Sequence, residues 1–324
     1  MMDGSEHVEQ WAVRVPRAHG EETRQKLILE EKLDFHLKPR SDKTFVTFPV
    51  TSGNEGDLRE VFRAHQEREE DLPRHDLIGS IAILQEPDVA AAESLLASRS
   101  GITTVLAPVS PVRGEYRVRT LQILAGIPTT ETIVHEYGHR FRIDLARAYF
   151  SQRLATERQR IVNLAKKEEI VLDMFAGVGP FAITIAGKVP FVVAADFNPW
   201  AVILLSENCR LNHRKNVLPV LADSRKLSRL VPWVYDRVIM NLPLNAIDFI
   251  GNAFRLCRPG GTIHLYCLVT EKRQYLDRIM EYPAETVAEH VVRSYSPGKW
   301  HAVYDIRVGK KQGRDYSAGT YLVP

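Results

Sequence analysis

The chain has 324 residues, 44% of them hydrophobic and 26% charged. That is about twice an ordinary domain length of ~150, so two or three domains are expected, and disorder and fibrous structure are excluded. The net charge of +3 conceals a division, because residues 1–110 carry −7 and residues 111–324 carry +10.

Apolar runs such as residues 191–195 fall far short of the ~20 residues that a membrane span requires. The acidic, polar start of the chain is unlike a secretory signal. A cytoplasmic location with no membrane partner is expected. Cys209, Cys257 and Cys267 contain no Cys-x-x-Cys pair and suggest neither a disulfide framework nor a zinc knuckle. Residues 111–160 hold nine arginines, no lysine and five acids. Arginine's planar, always-charged fork suits phosphates and base edges, although a solvated basic face gives the same count.

In chain order, a strand at 11–15, a helix at 21–33 and a strand at 45–50 make a small N-terminal unit. The charged stretch 54–76 reads as a solvated helix or linker. Strands at 80–84, 103–106 and 116–123 follow, with an alanine-rich helix at 88–97 among them. His135-Glu-Tyr-Gly-His139 matches the His-Glu-x-x-His zinc signature, which needs a helix to bring both imidazoles to one metal. Residues 132–135 and 141–145 instead alternate as strands around Tyr137-Gly138, so a hairpin and no metal are expected.

From about residue 143 apolar strands alternate with helices. Strands fall at 170–173, 191–195, 217–221, 237–240 and 262–268, and helices open at Pro180 and Pro199. Two antiparallel strands, 286–294 and 302–308, close the set. The pattern predicts a mostly parallel sheet covered on both faces, with a ligand beyond the carboxyl ends of its strands.

Asp173-Met-Phe-Ala-Gly177-Val-Gly179-Pro-Phe-Ala182 follows a strand and opens a helix, the setting of a nucleotide-binding turn. A purely structural turn and a dinucleotide site share the pattern. Two features favour S-adenosylmethionine over a dinucleotide. Asp173 stands where a carboxylate meets an ammonium but would repel a pyrophosphate, and Asp223 ends the third strand within reach of an adenine amino group. Asp196, 19 residues after Gly177, is placed for ribose hydroxyls. The fourth strand ends in Met240-Asn241-Leu-Pro243-Leu244, either an ordinary strand-end turn or an Asn-x-Pro turn of the kind class I methyltransferases aim at a planar nitrogen. Leu244 lacks the aromatic that many such enzymes place there.

With these segments, Asp144-Leu-Ala-Arg-Ala-Tyr149-Phe-Ser-Gln152-Arg153-Leu-Ala-Thr-Glu157-Arg158 resembles the archaeal and eukaryotic tRNA (guanine-37-N1)-methyltransferase family, in its archaeal form with an N-terminal tRNA-recognition domain. The resemblance extends through Gly114-Glu-Tyr-Arg117-Val-Arg119 and, more loosely, His19-Gly-Glu-Glu-Thr-Arg24. Gln152 replaces a usual proline, and Ala155-Thr156 stands where glycines can occur.

The resemblance implies an α/β fold: a class I, Rossmann-like methyltransferase domain with a mostly parallel seven-stranded sheet at 143–324, preceded by two small α+β domains, a tRNA-recognition domain at 1–70 and an RNA-binding domain at 71–142. It implies transfer of a methyl group from S-adenosylmethionine to N1 of guanosine 37, with tRNA as partner and a monomer favoured. Glu157 becomes the base and Arg117 the group that meets charge at O6. Asn241 and Pro243 position the guanine, and Tyr149 forms a wall beside it. The cofactor falls to Asp173, Phe175, Gly177, Gly179, Asp196, Asp223, Asn241 and Arg153, while Arg158 is assigned to phosphate or to the cofactor's carboxylate. On spacing alone, Arg153 and Glu157 are an ordinary helix-surface pair, and Tyr149 is a core aromatic. Wyosine-pathway enzymes, some bifunctional, share the scaffold, and a non-catalytic tRNA binder is the reading from another class.

Overall fold

The computed structural model describes residues 7–34, 36–53, 58–63, 72–110, 119–230 and 234–309. It divides into two compact units, Met1–Pro73 and Arg74–Pro324.

In the first unit β1 (His7–Pro16), α1 (Gly20–Leu29), β2 (Arg40–Ser41), β3 (Phe45–Val50) and β4 (Arg59–Arg63) build an antiparallel sheet in the order β2-β3-β1-β4. Helix α1 stops four residues before the expected end. Glu31 takes φ 54, and the amides of Lys32 and Leu33 turn back to the carbonyl of Leu27. That closure frees Leu33 to bridge Val50 and join Leu27, Phe48 and Val50 in the core. The stretch expected as helix or linker contains β4 instead, because Phe62 is wholly buried with Ala12 and Leu37 between exposed neighbours.

The second unit begins with β5 (His75–Ile78), β6 (Ile81–Leu84), α2 (Val89–Ser98), β7 (Thr104–Pro108) and β8 (Leu121–Gly126), a sheet in the order β5-β6-β7-β8. Helix α2 is the crossover between parallel β6 and β7, and Asp88 caps it by accepting from the amide of Ala91. The hairpin of β9 (Glu131–Glu136) and β10 (His139–Asp144) turns through Tyr137 and Gly138, both at positive φ (46° and 79°).

The rest is α3 (Ala155–Leu164), β11 (Ile170–Asp173), α4 (Pro180–Ile185), β12 (Phe191–Asp196), α5 (Pro199–Leu211), β13 (Val217–Leu221), α6 (Leu227–Leu230), β14 (Tyr235–Met240), α7 (Ile250–Leu256), β15 (Cys257–Val269), α8 (Leu276–Met280), β16 (Ala284–Ser296) and β17 (Lys299–Val308). Their sheet runs β13-β12-β11-β14-β15-β17-β16. The first five strands are parallel, while β17 is antiparallel to both its neighbours, so the sheet is mixed. Successive residues such as Val171 and Leu172 are both wholly buried, one in the core of each face. That is why these strands read as unbroken apolar runs.

The hairpin belongs to the same packing. Phe141 and Ile143 share a core with Val171, and the expected boundary at 142/143 falls inside β10. Two asparagines one turn apart, Asn208 on α5 and Asn212 at its C-terminal cap, clamp that strand. Asn208 accepts from the amide of Arg142 at 2.7 Å and donates to its carbonyl at 2.9 Å; Asn212 does the same at Arg140, at 2.9 and 2.6 Å. Side-chain amides thereby satisfy a strand edge that would otherwise be open. Among the described residues no helix is long and apolar enough to cross a membrane.

Candidate active site

The strand order reverses at β11, from which the chain runs outward to β12 and β13 and then returns to β14 on the other side. Such a reversal opens a crevice at the carboxyl ends of β11 and β14. Asp173 ends β11, and Asn241 follows the end of β14. Each has a buried side-chain oxygen without a hydrogen-bond partner, Asp173 Oδ2 and Asn241 Oδ1. Burial pushes the Asp173 carboxyl up to about 7, with the nearby Asp196 adding to the rise. A buried acceptor pair of this kind is costly unless a cationic or donor-rich ligand meets it.

The glycine turn brings backbone close to the same place. Gly177 and Gly179 have φ of 55° and 92°, and Gly179 caps α4 ahead of Pro180. The amide of Gly177 donates to Asp196 Oδ2 at 2.7 Å, and that of Asn198 to Asp196 Oδ1 at 2.8 Å, so the acid at the end of β12 is oriented by the turn it serves. Burial raises the Asp196 carboxyl above its ordinary range. Phe175 packs edge-on against Phe249 at 5.1 Å between centroids.

Glu157 lies on the first turn of α3, buried against the sheet. Tyr266 of β15 donates its hydroxyl to Glu157 Oε1 at 2.7 Å. Arg160 donates from Nε to both Glu157 oxygens at 2.9 Å and from a terminal nitrogen to Oε1 at 2.7 Å. The same guanidinium reaches Asp305 of β17 at 2.7 and 3.2 Å. Asp305 also accepts from His264 Nδ1 at 2.6 Å, and Arg237 donates to the far nitrogen of that ring and to Glu169. Burial would raise the Asp305 carboxyl, but hydrogen bonds from His264 and Arg160 outweigh it and hold the group well below its usual range. His264 is wholly buried, and desolvation lowers its pKa. Tyr266, Arg160, His264 and Asp305 were not expected at the site. Their only sequence signal is His264 and Tyr266, two residues apart in an otherwise apolar strand.

The structure does not bring every expected residue to this place. Arg153 pairs with Asp76 at 2.7 Å on the surface, not with Glu157 and not at the glycine turn. Arg158 is 2% exposed and donates to Glu136 at 2.7 Å and to the carbonyl of Ser151, so its guanidinium is a buried internal partner. The Asp223 carboxylate is taken up by Arg225 at 2.9 and 3.0 Å, and that pairing holds it below its ordinary range. Tyr149 is 46% exposed and precedes α3, so it is not a core aromatic, and its carbonyl lies 3.7 Å from where a Cβ on Gly177 would stand. The carbonyls of Leu242 and Pro243 accept from Asn245 and Ala246 and from Leu268, which leaves the Asn241 amide as the turn's open group. Arg117 lies outside the described residues.

The His-Glu-x-x-His segment is the hairpin. His139 is paired with Glu136 and His135 with Arg140, so the two imidazoles face opposite sides of the ribbon while Glu136 is committed to Arg158.

Residues 132–292 match the TRM5/TYW2 methyltransferase domain, and residues 12–58 match the tRNA methyltransferase 5 N-terminal domain. Over 329 residues the chain is 37% identical to tRNA (guanine(37)-N(1))-methyltransferase Trm5b of Pyrococcus abyssi, covering 92% of this chain and 98% of that relative. The chain belongs to the TRM5/TYW2 methyltransferase family. A solved complex of aTrm5 with tRNALeu matches the fold with a TM-score of 0.67 at 30% identity, over 92% of this chain and 100% of that one. The chain is also 32% identical, over 72% of its length and 97% of that relative, to a tRNA(Phe) (4-demethylwyosine(37)-C(7)) aminocarboxypropyltransferase of Methanocaldococcus jannaschii. The TRM5/TYW2 cofactor is S-adenosylmethionine, and the residues present here fit it. The orphaned Asp173 Oδ2 suits its ammonium, and side-chain-free backbone at Gly177 lets it approach the turn.

Proposed function

We propose that this chain is a tRNA (guanine-37-N1)-methyltransferase that uses S-adenosylmethionine. The observation that carries the reading is Glu157, a buried carboxylate held by Tyr266 and Arg160 in a chain whose sequence parallels a guanine-37 methyltransferase over nearly its whole length. Bound cofactor supplies an electrophilic methyl group on a sulfonium. The residues of the chain must do the remainder.

Guanine N1 carries a proton and is a poor nucleophile until that proton leaves. Glu157 takes it. Negative charge then spreads toward O6, where Arg117 is assigned by resemblance. Asn241 offers its buried carbonyl oxygen to the guanine's amino edge, Pro243 fixes the turn that carries Asn241, and exposed Tyr149 beside Gly177 walls the base. Phe175, Gly177, Gly179, Asp173 and Asp196 hold the cofactor. Asp223 joins them if adenine displaces Arg225. The target base must leave its stack, which takes up part of the binding energy.

The first unit, with 12 basic and 16 acidic residues in 1–75, recognises tRNA by shape and local contacts. The basic remainder of the chain supplies the backbone contacts. The match to the tRNA methyltransferase 5 N-terminal domain favours N1 methylation over the aminocarboxypropyl transfer of the shorter relative. A binder without catalysis has no use for a buried Asp173 whose Oδ2 lacks a partner.

Incubation with labelled S-adenosylmethionine and unmodified tRNA transcripts tests the reading. Label is expected in N1-methylguanosine from a transcript with G37 and absent when position 37 is substituted. Equal labelling of both transcripts contradicts it.

A further inference from the structure

The Glu157 carboxylate has about four lone-pair directions, and they are unevenly used. Oε1 receives Tyr266 and two nitrogens of Arg160, whereas among the described residues Oε2 receives only the shared Nε. Oε1 is saturated. Oε2 retains the capacity for a further donor.

Behind this carboxylate, Asp305 and Glu169 face two guanidiniums, Arg160 and Arg237, and the buried imidazole of His264. Arg160 is divided between Glu157 and Asp305, and Asp305 is itself held by His264, with His290 of β16 3.5 Å away. The nearby arginines turn elsewhere, Arg153, just before α3, to Asp76 and Arg158 of α3 to Glu136.

We propose that Tyr266 and the Arg160–Asp305 pair are positioning residues that pin the Glu157 carboxylate through Oε1, so that Oε2 is the atom that accepts the guanine N1 proton. The inference rests on Glu157 being the base. In this step the N1–H bond breaks, an O–H bond forms on Oε2, and the electron pair stays on the guanine. Tyr266 and Asp305 act on Glu157 in opposite directions. The Tyr266 hydroxyl donates to the ionised carboxylate and favours that form, so its removal should carry the acid limb of transfer to higher pH. Asp305 draws on Arg160 and adds negative charge. Its neutralisation commits Arg160 to Glu157 and should carry that limb to lower pH.

The test is the pH dependence of single-turnover methyl transfer in the full chain, with S-adenosylmethionine affinity measured by calorimetry, for Tyr266→Phe, Asp305→Asn and Glu157→Gln. Tyr266→Phe should slow transfer at neutral pH roughly tenfold and displace the acid limb upward by about half a pH unit or more. Asp305→Asn should displace the limb downward, and cofactor affinity should hold in both. If Glu157→Gln abolishes transfer while Tyr266→Phe and Asp305→Asn leave rate and limb unchanged, the positioning role is wrong and the base stands. If Glu157→Gln transfers normally, the base reading itself fails. Should Asp305→Asn not fold, Tyr266→Phe alone decides. It removes one oxygen from a ring still held between Phe181 and His301, at 5.6 and 5.8 Å.

Discussion

A Cβ placed on Gly179 would stand 2.3 Å from Leu205 Cδ1 and 3.0 Å from Ile183 Cδ1. The turn that opens α4 is therefore pressed against α5, and its φ of 92° adds a second demand that only glycine meets cheaply. Gly179→Ala is expected to destabilise the protein by about 1–3 kcal/mol through backbone strain alone and to weaken S-adenosylmethionine binding. Gly179→Ala with Leu205→Ala should relieve the clash without restoring the turn. Denaturant unfolding and calorimetric titration of the cofactor measure the two effects.

Asp173 makes stability and binding move oppositely with pH. Its folded-state value of about 7 lies above the 3.8 of an ordinary aspartate, so between those values the unfolded chain has lost a proton that the folded one keeps. Stability contributed by this group is present below about 4 and is lost as pH rises through about 7. Asp173→Asn should flatten that dependence and raise the melting temperature of cofactor-free protein at pH 8 by about 3 °C or more. It should also weaken cofactor binding, because the carboxylate opposing the ammonium is gone. Thermal scans across pH 4–8 with and without cofactor provide the check.

Arg158 and Glu136 form a buried ion pair with side chains 1% and 7% exposed. Arg158→Met strands the Glu136 carboxylate and is expected to cost about 3–5 kcal/mol. The double variant with Glu136→Leu should recover much of that loss, and neither change should alter cofactor affinity in protein that folds. Because Glu136 belongs to this pair and not to a metal, His135→Ala should leave both stability and methyl transfer close to normal.

The sheet strands, the two proline-opened helices and the hairpin were legible because each rests on local pattern: apolar runs, a proline at a helix's first position, alternation around Tyr137-Gly138. The strand-end positions of Asp173 and Asn241 were legible as well, since apolar runs mark where β11 and β14 stop. The partners of Glu157 were not. Tyr266 is 109 residues away, and Arg160 meets Asp305 across 145, so they come together only where α3 packs on β15 and β17. Arg153 misled for a related reason. Its spacing suits a helix pair with Glu157, but Arg153 sits in the 3-10 turn Gln152–Leu154 ahead of α3 and pairs with Asp76. Strand β4 was hidden in a charged stretch because a single buried Phe62 fixes its face.

The charge division predicts how tRNA binding is shared. Removing residues 1–73, the first compact unit, is expected to weaken tRNA capture by about tenfold or more while leaving the rate of transfer from bound tRNA near normal. The steep fall of binding with salt should persist in the truncated protein, because the basic excess lies in residues 111–324. Filter binding across salt concentrations, beside single-turnover rates at saturating enzyme, separates the two.

The most direct test of the account is single-turnover methylation by Glu157→Ala. If Glu157 removes the N1 proton, transfer to G37 should fall by about 100-fold to 10,000-fold with S-adenosylmethionine affinity close to that of the unaltered protein. Transfer at the unaltered rate would contradict the assignment.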